Sequence, residues 1–261
     1  MPVSSNLRTH GAAPYAVAVV HGGPGAPGDM AAVAKTLAAR RGVLEPLQTA
    51  KSVEGQAEEL AAVLEAHAQL PATLIGYSWG AWLGLMVAAR RPELVAKLIL
   101  VSSGPFEERY AAEIMPERLQ RLSDGERGEA ERIIARLSDA SDRDDAAFAR
   151  FGALLAKADA FDQLPGEREP TDTQVGIYAS VWAEAAELRR SGALLDLAAS
   201  VACPVVAIHG AYDPHPAEGV REPLSRVVAD FRFVLLAECG HTPWRERRAR
   251  DEFYRLLEGE L

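Results

Sequence analysis

Hydrophobic residues in this chain fall in short unbroken runs near its two ends and in a helical rhythm between them. The runs Tyr15–Val20, Val43–Leu47, Ala72–Tyr77 and Lys97–Val101 read as strands, and two more begin at Val205 and Phe231. None alternates apolar with polar positions, so each has the pattern of a parallel strand covered on both faces. Stretches near Asp29–Arg40, Val53–Ala68 and Trp79–Arg90 read as the helices that connect them. Strand–helix alternation implies right-handed crossovers and an α/β fold, with a doubly wound and mostly parallel sheet.

From about Pro105 to Ser200 the strand pattern stops. Glu107–Leu122, Gly128–Leu137, Asp142–Ala158 and Thr171–Arg190 read as amphipathic helices, broken at Asp124-Gly125 and Pro165-Gly166. The chain thus divides into a core of residues 1–104 and 201–261 and a helical cap of residues 105–200. Such a cap is placed to exclude water and shape a pocket, although a plain surface excursion has the same pattern. Fourteen residues precede Tyr15, which leaves any leading antiparallel hairpin truncated or absent. The charged cluster Arg245-Glu246-Arg247-Arg248 reads as a solvated helix start.

Three turns carry chemistry. Gly76-Tyr77-Ser78-Trp79-Gly80 lies between a strand and a helix, where a sharp turn lifts the serine hydroxyl above the sheet edge. A serine hydroxyl is a weak nucleophile at neutral pH and needs an imidazole base oriented by a carboxylate. Asp213 follows one later strand and His241 the next, 28 residues on, which puts both at the same end of adjacent strands. The chain order serine, acid, histidine is the one this kind of elbow requires. An oxyanion hole would combine the N–H of Trp79 with that of Gly23 in His21-Gly22-Gly23-Pro24-Gly25. That loop lacks the Lys-Ser/Thr ending of a phosphate-binding loop.

Each residue has a plainer role open to it. Ser78 could be a turn serine, Asp213 a helix cap, and His241 a loop histidine. His21 and His209 precede glycines at strand ends, where bonding to backbone is the simpler role. A metal site from His209, Asp213, His215 and His241 is the competing arrangement, but its spacings match no common ligand motif. Trp79, Trp82, Trp182 and Trp244 suit core packing or a pocket wall.

On these residues the chain resembles the α/β-hydrolase superfamily over nearly its whole length. His21-Gly22-Gly23-Pro24-Gly25 with Tyr77-Ser78-Trp79-Gly80 is most similar to the proline iminopeptidase and small-substrate branch. The resemblance implies Ser78 as nucleophile, Asp213 as acid, His241 as base, and the Gly23 and Trp79 amides on the oxyanion. It implies no cofactor and no metal. One departure is the region Val43–Ala50, which lacks the Asp-Gln-Arg-Gly-like turn usual in iminopeptidases.

Charge and composition narrow the partners. A net charge of −9 disfavours nucleic acid and anionic membranes. No segment reads as a signal peptide or a membrane span, so the expectation is a cytoplasmic protein acting on a small-molecule substrate, with self-association left open. Cys203 and Cys239 flank neighbouring strands at opposite ends and should be free thiols. The expected reaction is hydrolysis of a small carboxylic ester or related acyl substrate. An aminopeptidase acting on N-terminal proline is the runner-up, and would need cap carboxylates such as Glu107, Glu113, Glu184 or Glu187 for the substrate ammonium. A binding protein or receptor on a hydrolase fold is the alternative of a different class.

Overall fold

A computed structural model of the protein describes residues 6–137, 144–165 and 175–261. The expected helix starts at Asp142 and Thr171 and the break at Gly166 lie outside those residues. One seven-stranded sheet organises the rest, in the order β1-β3-β2-β4-β5-β6-β7. Its strands are β1 (Leu7–His10), β2 (Tyr15–Val20), β3 (Gly42–Pro46), β4 (Ala72–Tyr77), β5 (Val95–Val101), β6 (Val205–Gly210) and β7 (Phe231–Leu236). All neighbours run parallel except β1, which pairs antiparallel with β3.

The sheet is covered on both sides because each central strand sends alternate side chains to opposite faces. Leu74, Leu98 and Leu100 join one core with α2 (Val53–His67), α3 (Trp79–Arg90), α8 (Ala193–Ala198) and α9 (Glu218–Val227). Ile75, Ile99 and Val101 join the other with α1 (Ala31–Leu37) and α10 (Arg250–Glu260). Continuous apolar runs are what this arrangement demands of a sequence.

Between β5 and β6 the regular elements are α4 (Ile114–Gln120), α5 (Asp124–Leu137), α6 (Asp145–Ala158), α7 (Val175–Ser191) and α8. They bury their apolar faces in two places. Ile133 of α5 packs with Phe151 and Leu154 of α6 in a separate small core. Ile177, Val181 and Ala185 of α7 belong instead to the main core beside α2 and α3. No helix among the described residues is long and apolar enough to cross a membrane.

One local expectation becomes definite and two need correction. The leading antiparallel element is truncated to the single strand β1, hard to read from Leu-Arg-Thr-His because three of its four residues are polar or charged. Its Arg8 and His10 reach Glu45 on β3, at 3.7 and 2.7 Å, so that this carboxylate is buried inside the sheet. Asp124-Gly125 is no break but the first turn of α5, where an acidic residue suits the helix dipole. The charged cluster after His241 is not a solvated helix start either. Pro243–Arg245 form a 3-10 turn, Glu246 is buried, and α10 begins only at Arg250.

Candidate active site

Ser78 occupies the turn between β4 and α3 with φ 51° and ψ −112°, a left-handed conformation costly for a residue with a Cβ. Neighbouring backbone crowds around it. A Cβ on Gly76 would lie 2.2 Å from the Gly80 carbonyl oxygen, and one on Gly80 2.4 Å from that of Val20. Both glycines are therefore required by close approach, with no left-handed φ of their own. The Ser78 backbone N–H is anchored on the Val101 carbonyl at 2.9 Å.

The structure brings the three expected side chains together. His241 Nε2 lies 3.2 Å from Ser78 Oγ and accepts its proton, while His241 Nδ1–H donates to Asp213 Oδ2 at 2.7 Å. Asp213 and His241 follow the adjacent parallel strands β6 and β7. Burial acts to raise the Asp213 carboxyl, but His241, His215 and His209 around it hold it well below the usual carboxylate range. Burial opposes charge on His241, yet Asp213 wins and lifts its pKa above the ordinary histidine value.

Gly23, at φ 37°, and Trp79 flank this centre, and neither backbone amide has an acceptor among the described residues. His21 braces the Gly23 loop from beneath. Its Nδ1–H donates to the Gly22 carbonyl at 2.7 Å, and its Nε2 accepts the Gln48 N–H at 3.3 Å. Complete burial lowers its pKa to about 4, so it stays neutral at pH 7. The backbone role expected for His21 is the one it has.

Two groups at this site escaped the sequence reading. His215, weighed there only as a metal ligand, instead donates its Nδ1–H to Asp213 Oδ1 at 2.8 Å. Glu246 accepts the backbone N–H groups of Phe161 at 2.9 Å, Asp162 at 2.7 Å and Gly240 at 3.1 Å. It thereby ties the segment after α6 to the loop carrying His241. The same two segments meet again where the His241 N–H donates to the Asp159 carbonyl at 2.9 Å. Asp159 is in turn gripped by Arg118 of α4 through two 2.7 Å bonds. The spacing Asp-x-His was the one available hint for His215; for Glu246, two of the three partners, Phe161 and Asp162, lie far along the chain.

Asp213, His215 and His241 each bring one ligand-type atom within 4.8 Å of the others, close enough to hold a cation. Here Asp213 is bonded to both histidines, through Oδ1 to His215 and through Oδ2 to His241. His209 sends its Nε2–H to the His215 carbonyl at 2.8 Å. Cys203 and Cys239 are free, and burial pushes the Cys239 thiol far up, which suppresses thiolate chemistry beside His241.

A cleft of about 780 Å³ opens next to the centre, bounded by Gly23, Tyr77, Thr242 and Trp244 on the core side. Phe148, Phe151 and Leu155 of α6 form its opposite wall. Ser78 and His241 do not line it themselves; their chain neighbours Tyr77 and Thr242 do. Of the tryptophans, Trp244 serves this wall, whereas Trp82 stacks on Trp182 at 6.0 Å and Trp79 donates its indole N–H to Gln56 at 2.9 Å. The candidate ammonium-binding carboxylates lie elsewhere. Glu107 pairs with Arg109 and Arg226, Glu187 with Arg190, and Glu184 accepts the Val53 N–H at the start of α2. Glu113 is exposed and does not line the cleft.

Comparison with known proteins agrees with this architecture. The sequence family described as "alpha/beta hydrolase fold" matches residues 36–243. No curated protein matches the chain in sequence. Among solved structures, VinJ is similar at 19% identity and TM-score 0.71, over 100% of this chain and 96% of that one. Est816, described as an N-acyl homoserine lactone degrading enzyme, gives 16% identity and TM-score 0.64, over 98% and 96%. A proline iminopeptidase of Mycobacterium smegmatis gives 18% identity and TM-score 0.60, over 97% and 92%. At such identities the likeness is one of fold.

Proposed function

Because the chain belongs to the alpha/beta hydrolase fold family, we propose that it is a serine hydrolase cleaving small carboxylic esters or related acyl substrates. The observation that carries this reading is the unbroken relay from Ser78 Oγ through His241 to Asp213, at 3.2 and 2.7 Å. In the reaction, His241 takes the Ser78 proton as the oxygen attacks the substrate carbonyl carbon. Asp213 stabilises the imidazolium that forms. The Gly23 and Trp79 amides receive the tetrahedral oxyanion. Collapse breaks the bond to the leaving group, which takes the proton from His241. Water, deprotonated by the same imidazole, then attacks the acyl-enzyme and regenerates Ser78. No cofactor takes part in these steps.

An ester is favoured over an amide because an alkoxide leaves without the full protonation an amine requires. The cleft supports an apolar acyl group, since Phe148, Phe151, Leu155, Leu164 and Trp244 line it. In this reading α6 and the segment after it act as the lid that closes over the bound acyl group. Aminopeptidase activity is the second reading, now resting on Asp29, the one acidic side chain that lines the cleft among the described residues.

The test is turnover of p-nitrophenyl esters of graded acyl length beside aminoacyl p-nitroanilides that include proline. Ester hydrolysis that falls by about a millionfold in Ser78→Ala is the expected result. Preference for the proline anilide would move the assignment to aminopeptidase. Fluorophosphonate labelling of Ser78 without turnover on any of them would favour a receptor.

A further inference from the structure

We infer that His215 is a positioning residue of this site, holding one oxygen of Asp213 so that the other faces His241. The inference rests on the hydrolase reading above and adds to it a residue outside the serine, histidine and acid. Asp213 divides its two oxygens cleanly. Oδ2 takes the His241 Nδ1–H at 2.7 Å, while Oδ1 takes both the backbone N–H of His215 at 2.9 Å and its ring Nδ1–H at 2.8 Å. The terminal torsion of an aspartate is broad and roughly two-fold, so one bonded oxygen leaves the plane of the carboxylate free to turn. Two donors on Oδ1, approaching from one residue, fix that plane.

The ring does a second job. It lies against the His241 imidazole, centroids 4.5 Å apart and 27° from parallel, and so limits the rotation of that ring. His215 is itself fixed from behind, because His209 on β6 donates to its carbonyl. Pro214 between acid and histidine restricts the connecting backbone.

The donor must also be neutral. A second imidazolium on Asp213 would compete with His241 for the carboxylate charge that the reaction uses. Burial is the largest influence on His215 and lowers its pKa to about 4, with His241 and Arg118 of α4 acting in the same direction against Asp213. At neutral pH it therefore holds the acid without cancelling its charge.

Three substitutions separate positioning from bulk. The amide nitrogen of asparagine falls near the place of imidazole Nδ1, whereas that of glutamine falls nearer Nε2. His215→Ala and His215→Gln should lower kcat on a p-nitrophenyl ester by about ten- to hundredfold, the scale of one charge-assisted hydrogen bond, with KM little changed. His215→Asn should restore most of it. A second measurement reads the geometry without turnover. The His241 Nδ1–H should give a downfield proton resonance, identified by its loss in Asp213→Ala, that shifts or broadens in His215→Ala and returns in His215→Asn.

Full activity and an unmoved resonance in His215→Ala would overturn the assignment. So would equal loss in the asparagine and alanine variants with both folded. Failure of the hydrolase reading would look different. Turnover would then survive Ser78→Ala with His215 intact, and the resonance alone would still decide what His215 does.

Discussion

Burial disfavours charge on His21, His215 and His241 alike, and it is their neighbours that set what each does when the pH changes. His241 lies beside a carboxylate that lifts its pKa above 6.5. The base form is needed for attack, so kcat/KM should rise with pH through a midpoint above 6.5, measured on an ester whose own hydrolysis is subtracted. Asp213→Asn removes the lifting charge and should cut kcat by roughly 10⁴-fold while moving that midpoint down. His21 behaves in the opposite sense. Its pKa is near 4 in the fold and 6.5 when free, so the unfolded chain binds a proton first as the pH falls. The His21 contribution to stability should be complete above 6.5 and drop between 6.5 and 4. The loss amounts to about 3 kcal/mol. Urea titrations across that range should show it, and His21→Gln should flatten the slope. Ser78, Asp213 and His241 were legible because each follows a largely apolar run at a turn, a local pattern that one stretch of sequence contains; the run before His241 is the half-exposed edge strand β7 rather than one covered on both faces. His215 was visible as a residue but not as a partner, since its role depends on which carboxylate oxygen His241 leaves open.

At the scale of elements, the helix that presents Ser78 was legible to the residue, from Trp79 to Arg90, because an apolar stretch following a Gly-flanked serine admits little else. Strand β1 and Glu246 were not, for one shared reason: their polar residues meet partners that are mostly distant in the chain. Glu45 needs Arg8 and His10, and Glu246 needs three backbone amides from two separate loops. Glu246→Ala would leave those buried donors without an acceptor and should cost roughly 3 kcal/mol or more, seen as a lower urea midpoint. It should also lower kcat more than KM, because the Gly240–His241 segment loses its anchor. Gly240→Ala offers an independent check. Its Cβ would stand 2.1 Å from the Asp159 carbonyl oxygen and 2.7 Å from Glu246, so the two segments would have to part. Destabilisation of about 1–3 kcal/mol is expected.

Over the whole molecule, the doubly wound sheet followed from continuous apolar runs, but how the middle third docks did not. Amphipathic helices announce that they bury a face, never against what. Here α5 and α6 bury theirs against each other while α7 joins the main core, so the two halves of the insertion have different freedom to vary. The cleft wall on α6 includes Gly152, where an added Cβ meets nothing within 4 Å. Gly152→Phe should therefore fold normally and shift the ester chain-length optimum toward shorter acyl groups, with the rate on acetate retained. The strap from Asp159 to Asp162 carries a different implication, for how this fold diversifies. Its bonds to the His241 loop run through main-chain groups and through Glu246, so they specify a path for the chain and hardly any side chains. A chimera that exchanges only residues between Arg121 and Asp159 keeps that splice, with Arg118 still on Asp159, and inherits a new specificity on an intact base. One whose seam falls beyond Gln163 brings in a foreign strap, and its histidine is set adrift although every catalytic residue is still in place.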